Sequence, residues 1–395
     1  MRPRTVFLLF LALNVLNYLD RYVTSGILPL LKIHFHATDV ALGALGSAFM
    51  ITYALIALPV GAWSDRWYPH KVAALGALVW SIATLLSAFA WSLTALFVLR
   101  ALVGVGEAAY VTTGGTILSG LYPEKRRALV LSTFNLGMPI GAAIGVTLGG
   151  FIGAHFGWQA AFLIVGVPGL ILAHFTWRLP LGRAAGSRGQ ESASAPPRLV
   201  LSDVLELLRN LPYVLIVLGY AALSYAYGAF AWFAPTFLHR YFGYTIGKAG
   251  LVMGAITVAA GLLAPIGGVI ADRWYRRHSK GRVYTLFIAM FLSAWLLLAG
   301  LLLHSLVALF FSSFFMLWQG IASTLVFDVT KKQMWNTATS LSLLLMHLLG
   351  DIPGTFIVGY ISDRTNLLTS LSILPIPMLL ASFLFLASGR FRSVQ

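Results

Sequence analysis

Twelve apolar stretches, each long enough to cross a bilayer, follow one another along this chain with only short polar punctuation between them. A spanning helix needs about 20 predominantly apolar residues, and the stretches 5–30, 40–62, 71–91, 93–120, 128–153, 158–179, 211–237, 247–271, 283–303, 305–328, 335–360 and 367–388 all reach that length. Charged residues make up 10% of the chain, against about 25% in a soluble domain, which excludes an ordinary water-soluble enzyme. The fold class that follows is an all-α, polytopic membrane protein. The first stretch follows Arg2 and Arg4 as a signal peptide would, but it carries Asp20 and Arg21 and lacks a small-residue cleavage site. It reads as a retained helix.

Net charge is +15, an excess that in a soluble protein would suggest nucleic acid. The positions of the bases decide otherwise. With both termini in the cytoplasm, 21 of the 27 Lys and Arg fall in cytoplasmic segments and only Lys32, Arg240, Lys248 and Arg364 on the opposite side. Lys and Arg accumulate in loops that stay inside, so this bias sets the topology and accounts for the basicity without a nucleic-acid partner. A modest attraction to anionic lipid headgroups remains.

The longest interruption, 181–210, is rich in Gly, Ser and Pro and reads as a cytoplasmic linker. It separates an N-terminal six-helix bundle, 1–180, from a C-terminal one, 211–395. Within the linker, Leu201 to Leu208 has helical spacing of apolar positions with acids on the other face, which predicts a short interfacial helix. The second half also repeats the first. Gly61 to Tyr68 closes the second stretch and Gly268 to Tyr275 the eighth, with five of eight positions identical at an offset of 207. Basic loops at Lys125-Arg126-Arg127 and Lys331-Lys332 follow the fourth and tenth stretches at an offset of 206. Two six-helix halves related by an axis along the membrane normal are the architecture of rocking secondary transporters.

These residues carry a family resemblance over nearly the whole chain. The Gly-x-x-x-Asp-Arg pattern at 61–66 and again at 268–273, Arg100-Ala-Leu-Val-Gly104-Val-Gly106 in the fourth helix, and Gly137-Met-Pro139-Ile-Gly141 continuing to Gly145, Gly149 and Gly150 resemble the major facilitator superfamily. Asn17-Tyr-Leu-Asp20-Arg21, Arg100 through Glu107-Ala108, and His347-Leu-Leu-Gly350-Asp351-Ile-Pro353 resemble its spinster branch more narrowly. That resemblance implies a substrate of the lysophospholipid or sphingosine 1-phosphate class. The chain departs from the family in one loop, where Trp67-Tyr-Pro-His-Lys71 lacks the usual adjacent basic pair. Its short length and scant tails look bacterial, so the expected location is a bacterial inner membrane.

Charges inside the spans stand apart from the resemblance. A charge at the bilayer centre costs at least about 2.5–3.5 kcal/mol on insertion scales. Asp20 and Arg21 in the first span and Arg100 and Glu107 in the fourth sum to zero. Arg100 and Glu107, seven apart, share a helix face, whereas adjacent Asp20 and Arg21 diverge by about 100° and meet different partners. The expected arrangement pairs Arg21 with Glu107 and leaves Asp20 freer to take up a proton. A carboxylate whose distance to an arginine changes between two states binds a proton in one and releases it in the other, which is coupling by linkage. The alternative is that the ions only lock the first helix to the fourth.

Arg21 and Arg100 are also candidates for substrate contact, because a guanidinium fork fits phosphate or carboxylate. Tyr18, Tyr22, Tyr220, Tyr225, Tyr227 and Trp232 are candidates to line an apolar cavity and hold an acyl chain, with ordinary packing or an interface belt as the alternative. Asp351, preceded by His347 four residues earlier, is a candidate second proton-relay pair, again with packing as the alternative. Asp65, Arg66, Asp272 and Arg273 at cytoplasmic helix ends are expected to hold that side shut, an acid capping a helix of the partner half and an arginine pairing across the gap. Asp328 is expected to meet Lys331 or Lys332.

Other chemistry is sparse. There is no cysteine, no phosphate-binding loop for ATP and no histidine cluster with metal-ligand spacing, so the expectation is no metal, no cofactor and a proton gradient as the energy source. No Ser-His or His-Asp constellation in the loops supports an acyltransferase or lipid hydrolase. The reading is a monomeric proton-coupled transporter of a lysolipid-like substrate, with a drug or organic-anion antiporter, or a passive lipid scramblase or channel, as the alternatives.

Overall fold

A computed structural model describes residues 3–182, 201–316, 320–331 and 334–390. Among them are twelve helices or helix runs long and apolar enough to span a membrane, from Pro3–His34 to Leu367–Ser388. Every stretch read from the sequence contains a spanning helix or helix run, broken only by short turns, and the ends move by only a few residues.

Contacts divide the chain into two compact units. One comprises Met1–Pro196 with Ala234–Ala255, the other Pro197–Phe233 with Ile256–Gln395. Ala234–Ala255 lies in the second half by sequence but packs with the first unit for two reasons. Arg240 binds Asp39, and a Cβ placed on Gly250 or Gly254 would come within 2.6 Å of the Val146 carbonyl or 2.8 Å of the Ala143 carbonyl.

In the first unit the dominant contact is between the first span and the helix Gly137–Phe156 of the fifth. Gly141, Gly145 and Gly149, spaced four apart on one helical face, lie against the carbonyls of Val15, Leu19 and Val23, where an added Cβ would sit only 2.3–2.4 Å away. Backbones approach this closely only where small residues line the seam. The apolar core around them includes Phe10, Leu13, Trp80, Tyr110 and Ile117.

In the second unit the core joins Tyr213, Leu286, Met290, Leu325 and Phe385. The expected short helix forms at Leu201–Arg209. Its Leu207 is buried in this core, Asn210 donates to the Val329 carbonyl at 2.8 Å, and Lys331 donates to Glu206 at 2.8 Å. That acid holds the Lys331 ammonium above the usual lysine range.

Prolines explain two interruptions. Pro265 has no N–H for the Gly261 carbonyl, which takes the Ala264 N–H at 3.3 Å instead. The twelfth span repeats this device at Pro375, where the Leu371 carbonyl takes the Leu374 N–H at 3.0 Å. The eleventh span is interrupted differently, by one turn of π-helix at His347–Asp351. Such turns are frequent at functional sites.

Candidate functional site

The first span supplies Asp20 and Arg21, and their divergence sends each to its own partner. Arg100 Nη1 donates to Asp20 Oδ1 at 3.1 Å, and the Thr84 hydroxyl donates to Asp20 Oδ2. Arg21 donates to Glu107 Oε2 through Nε at 3.2 Å and Nη2 at 2.8 Å. Asp20 and Glu107 are 0% exposed, Arg100 1% and Arg21 9%, so Arg21 is the member of the set nearest to open space. Ions this buried persist only when paired, since removing one partner of such a pair costs about 3–5 kcal/mol.

Aromatic rings complete the walls. The Phe49 ring lies 4.7 Å from the Arg21 guanidinium carbon and 5.7 Å from that of Arg100, touching both pairs. Tyr18 and Tyr53 lie 5.0 and 5.2 Å from Arg21. Ring faces attract guanidinium groups in dry surroundings. Two polar atoms in this set, Glu107 Oε1 and Arg100 Nε, are buried without a hydrogen-bond partner among the described residues, as are both side-chain polar atoms of Asn17, one turn earlier on the first span.

The second unit holds a separate acid. Asp351 Oδ2 meets His347 Nδ1 at 2.6 Å, and Asp351 Oδ1 accepts from the Ser224 hydroxyl. The π turn, in which the Ile352 N–H donates to the His347 carbonyl, carries both side chains. Gly350 and Gly354 let this span close on the seventh, where added Cβ atoms would lie 2.7 Å from the carbonyls of Ala221 and Tyr225. This contact brings Ser224 within reach of Asp351.

With this geometry established, comparison with known proteins gives the family. Residues 10–352 match the Major Facilitator Superfamily. The chain is 31% identical over 383 residues to human protein spinster homolog 1, covering 89% of this chain and 71% of that one. It is 30% identical over 424 residues to the sphingosine-1-phosphate transporter SPNS2 of Mus musculus, covering 96% and 75%. The chain belongs to the spinster branch of the major facilitator superfamily. A crystal structure of a bacterial homolog to the human lysosomal transporter spinster, in an inward-facing and occupied conformation, shares the fold with a TM-score of 0.85 at 19% identity, over 99% of this chain and 98% of that one. The nucleoside transporter NupG shares it with a TM-score of 0.73 at 17% identity, over 98% and 100%. This spinster-family chain is an integral, multi-pass membrane transporter and not an enzyme.

The expected Arg21–Glu107 and His347–Asp351 pairs both form in this spinster-type chain. Asp20 corrects the expected arrangement: it is not left free, because Arg100 and Thr84 occupy both of its oxygens. Of the aromatic candidates, Tyr18 joins the ion pairs and Tyr225 lies beneath Gly354. Tyr220 packs in the apolar core of the second unit, Trp232 is buried, and Tyr22 and Tyr227 are half-buried.

At the expected cytoplasmic ends, Asp272 accepts from Arg282 of its own unit at 3.1 and 2.9 Å. Arg66 and Arg273 are exposed, and the Asp65 side chain lies outside the described residues. Asp328 also differs from expectation. Arg282 Nη1 donates to both its oxygens at 2.8 and 3.0 Å, because the fork from the start of the ninth span reaches both acids at once, while Lys331 goes to Glu206. Lys332 lies outside the described residues.

Sequence reasoning missed Thr84, Ser224, Phe49, Tyr53 and Asp39. Phe49 and Tyr53 carried a usable signal, two aromatics one turn apart on a span that faces the fourth. Thr84 and Ser224 carried none, because a hydroxyl inside an apolar helix ordinarily bonds its own backbone.

Proposed function

We propose that this chain is a proton-coupled transporter of an amphipathic, lysophospholipid- or sphingosine-phosphate-like substrate, working by alternating access. The observation that carries this reading is the set of four buried charges on the first and fourth spans, arranged as two pairs that share the Phe49 ring. Apolar packing would lock two helices at less cost than buried ion pairs, since each charge at the bilayer centre is costly. In the coupling reading, Asp20 and Glu107 take and release protons as their distances to Arg100 and Arg21 change. Asp351 with His347 forms a second proton site. Arg21, the least buried of the four charges, offers its fork to an anionic headgroup, and Arg100 is the reserve. Tyr18, Tyr22, Tyr225 and Tyr227 offer apolar faces with polar edges to the chain of the substrate.

The names of the relatives support the substrate class, since one is a sphingosine-1-phosphate transporter. Asp272 and Arg273, with Asp65 and Arg66, serve as the cytoplasmic gate, and Arg282 positions Asp272 for it. The excess of basic residues in alternate loops supports cytoplasmic termini, and a bacterial inner membrane is the proposed location. A proton gradient replaces any cofactor, and the monomer is the working unit.

The test is uptake of a labelled lysophospholipid by the purified protein in liposomes, with and without an imposed pH gradient. Concentrative uptake that collapses with a protonophore is the expected result. Equal rates with and without the gradient would mean facilitated diffusion or scrambling. No movement at all would shift the substrate class to drugs and organic anions.

A further inference from the structure

Asp20 and Asp351 are held alike. One oxygen of each faces a nitrogen base and the other a hydroxyl: Arg100 and Thr84 for Asp20, His347 and Ser224 for Asp351. The two settings differ in what they allow when a proton arrives. A carboxylate only accepts hydrogen bonds, whereas a carboxylic acid must also donate one. Arg100 cannot receive that bond, because a guanidinium has donors and no acceptor. A hydroxyl has one O–H and two lone pairs, so it serves either form. Among the described residues, Thr84 is therefore the one hydrogen-bond partner of Asp20 that suits both protonation states.

We infer that Thr84 is a positioning residue for proton coupling, donating to the Asp20 carboxylate and turning to accept from the Asp20 acid. The inference rests on the reading of Asp20 as a proton carrier. When the proton binds, an O–H bond forms on Asp20 Oδ2 and points at Thr84 Oγ1. The threonine hydroxyl then turns its hydrogen away from Asp20, so that a lone pair faces the acid. In either state the Asp20–Thr84 bond is kept, so the Asp20 side chain is not left without a partner. The charged groups acting on Asp20 are Arg100 from the fourth span and Arg21 beside it, with Glu107 beyond them, and none of these accepts from the acid as a neutral hydroxyl does.

Ser224 plays the corresponding part for Asp351 with less consequence. There the imidazole of His347 is a second adaptable partner, since a ring nitrogen accepts in one tautomer and donates in the other.

The test is pH-difference infrared spectroscopy of the whole protein in lipid, beside gradient-driven uptake of a labelled lysophospholipid. A carboxylic-acid carbonyl band that disappears in Asp20→Asn identifies the Asp20 acid. In Thr84→Val, and in Thr84→Ala as a second hydroxyl-free variant, that band should move to higher frequency and gradient-driven uptake should fall at least tenfold. Thr84→Ser should restore both. A merely structural threonine would lower uptake without moving the band. A band unmoved in both hydroxyl-free variants overturns the inference while leaving the coupling reading intact. Absence of any Asp20-dependent band in the wild-type protein overturns that reading, and the inference with it.

Discussion

Arg240 clasps Asp39 with both terminal guanidinium nitrogens, at 2.7 and 2.8 Å, while Lys32 holds the same carboxylate at 2.6 Å. Asp39 is only 2% exposed and opens the second span just after the capping residue Thr38, whose hydroxyl accepts from the Ala41 N–H. An acid in the first helical turn is already favoured by the helix dipole. Two cations on one buried carboxylate make it the anchor for Ala234–Ala255.

Arg240→Gln should therefore loosen that segment. Leaving Asp39 with Lys32 alone costs about 1–3 kcal/mol, readable as a lower melting temperature in detergent. The natural chain has no cysteine, so Ala249→Cys, at a position 1% exposed, provides a unique maleimide site. Labelling should speed up several-fold in the Arg240→Gln background. An unchanged labelling rate would show that the glycine contacts alone seat the segment.

Asp20→Asn should abolish gradient-driven uptake while the protein still elutes as a monodisperse peak. The amide keeps the size of the carboxyl but cannot carry the proton. If the variant still accumulates substrate with the gradient, Glu107 or Asp351 must carry the proton.

Arg21→Gln and Glu107→Gln should each destabilise the protein by about 3–5 kcal/mol, since each strands a buried charge. The double substitution should cost less than the sum of the two, with a coupling energy of about 0.5–3 kcal/mol in a double-mutant cycle. Thermal melts of the four proteins provide the check. Strict additivity would mean that the pair seen at 2.8 Å contributes nothing as a pair.

Gly145→Val should lower the yield of folded protein more than any change on the lipid-facing side of the same helix. Its Cβ would meet the Leu19 carbonyl at 2.4 Å, and overpacking a tight seam costs about 1–3 kcal/mol or more. Fluorescence-detected size exclusion of Gly145→Val against Ile144→Val, at a position 38% exposed, separates packing from general intolerance.

The fold was legible because a bilayer demands long apolar runs, and those runs stand in the sequence as plainly as the loops between them. The charged part of the site was legible for the same reason: Asp20, Arg21, Arg100, Glu107 and Asp351 are conspicuous where a charge is costly. Partners were harder to read. The Arg21–Glu107 pair could be read because adjacent side chains on a helix must diverge, but the hold on Asp20 could not, since Thr84 reaches it from a third helix. Asp328 misled because its sequence neighbours Lys331 and Lys332 drew attention from Arg282, which lies 46 residues away in the chain but within 2.8 Å in space. Asp39 was overlooked because it sits at a span end, where an acid is unremarkable until its partners are seen.

The π turn at His347–Asp351 has a consequence for how the eleventh span can change over time. Each residue of an α-helix advances the facing of the next by about 100°, so one wide turn acts as an inserted residue and resets the azimuth of everything beyond it. The stretch before the turn and the stretch after it, Trp335–Met346 and Ile352–Arg364, are therefore indexed separately. Substitutions can re-aim one stretch without rotating the other, and deleting a single residue within the turn would let it close to regular α-helix with little change in the facing of the stretch beyond it.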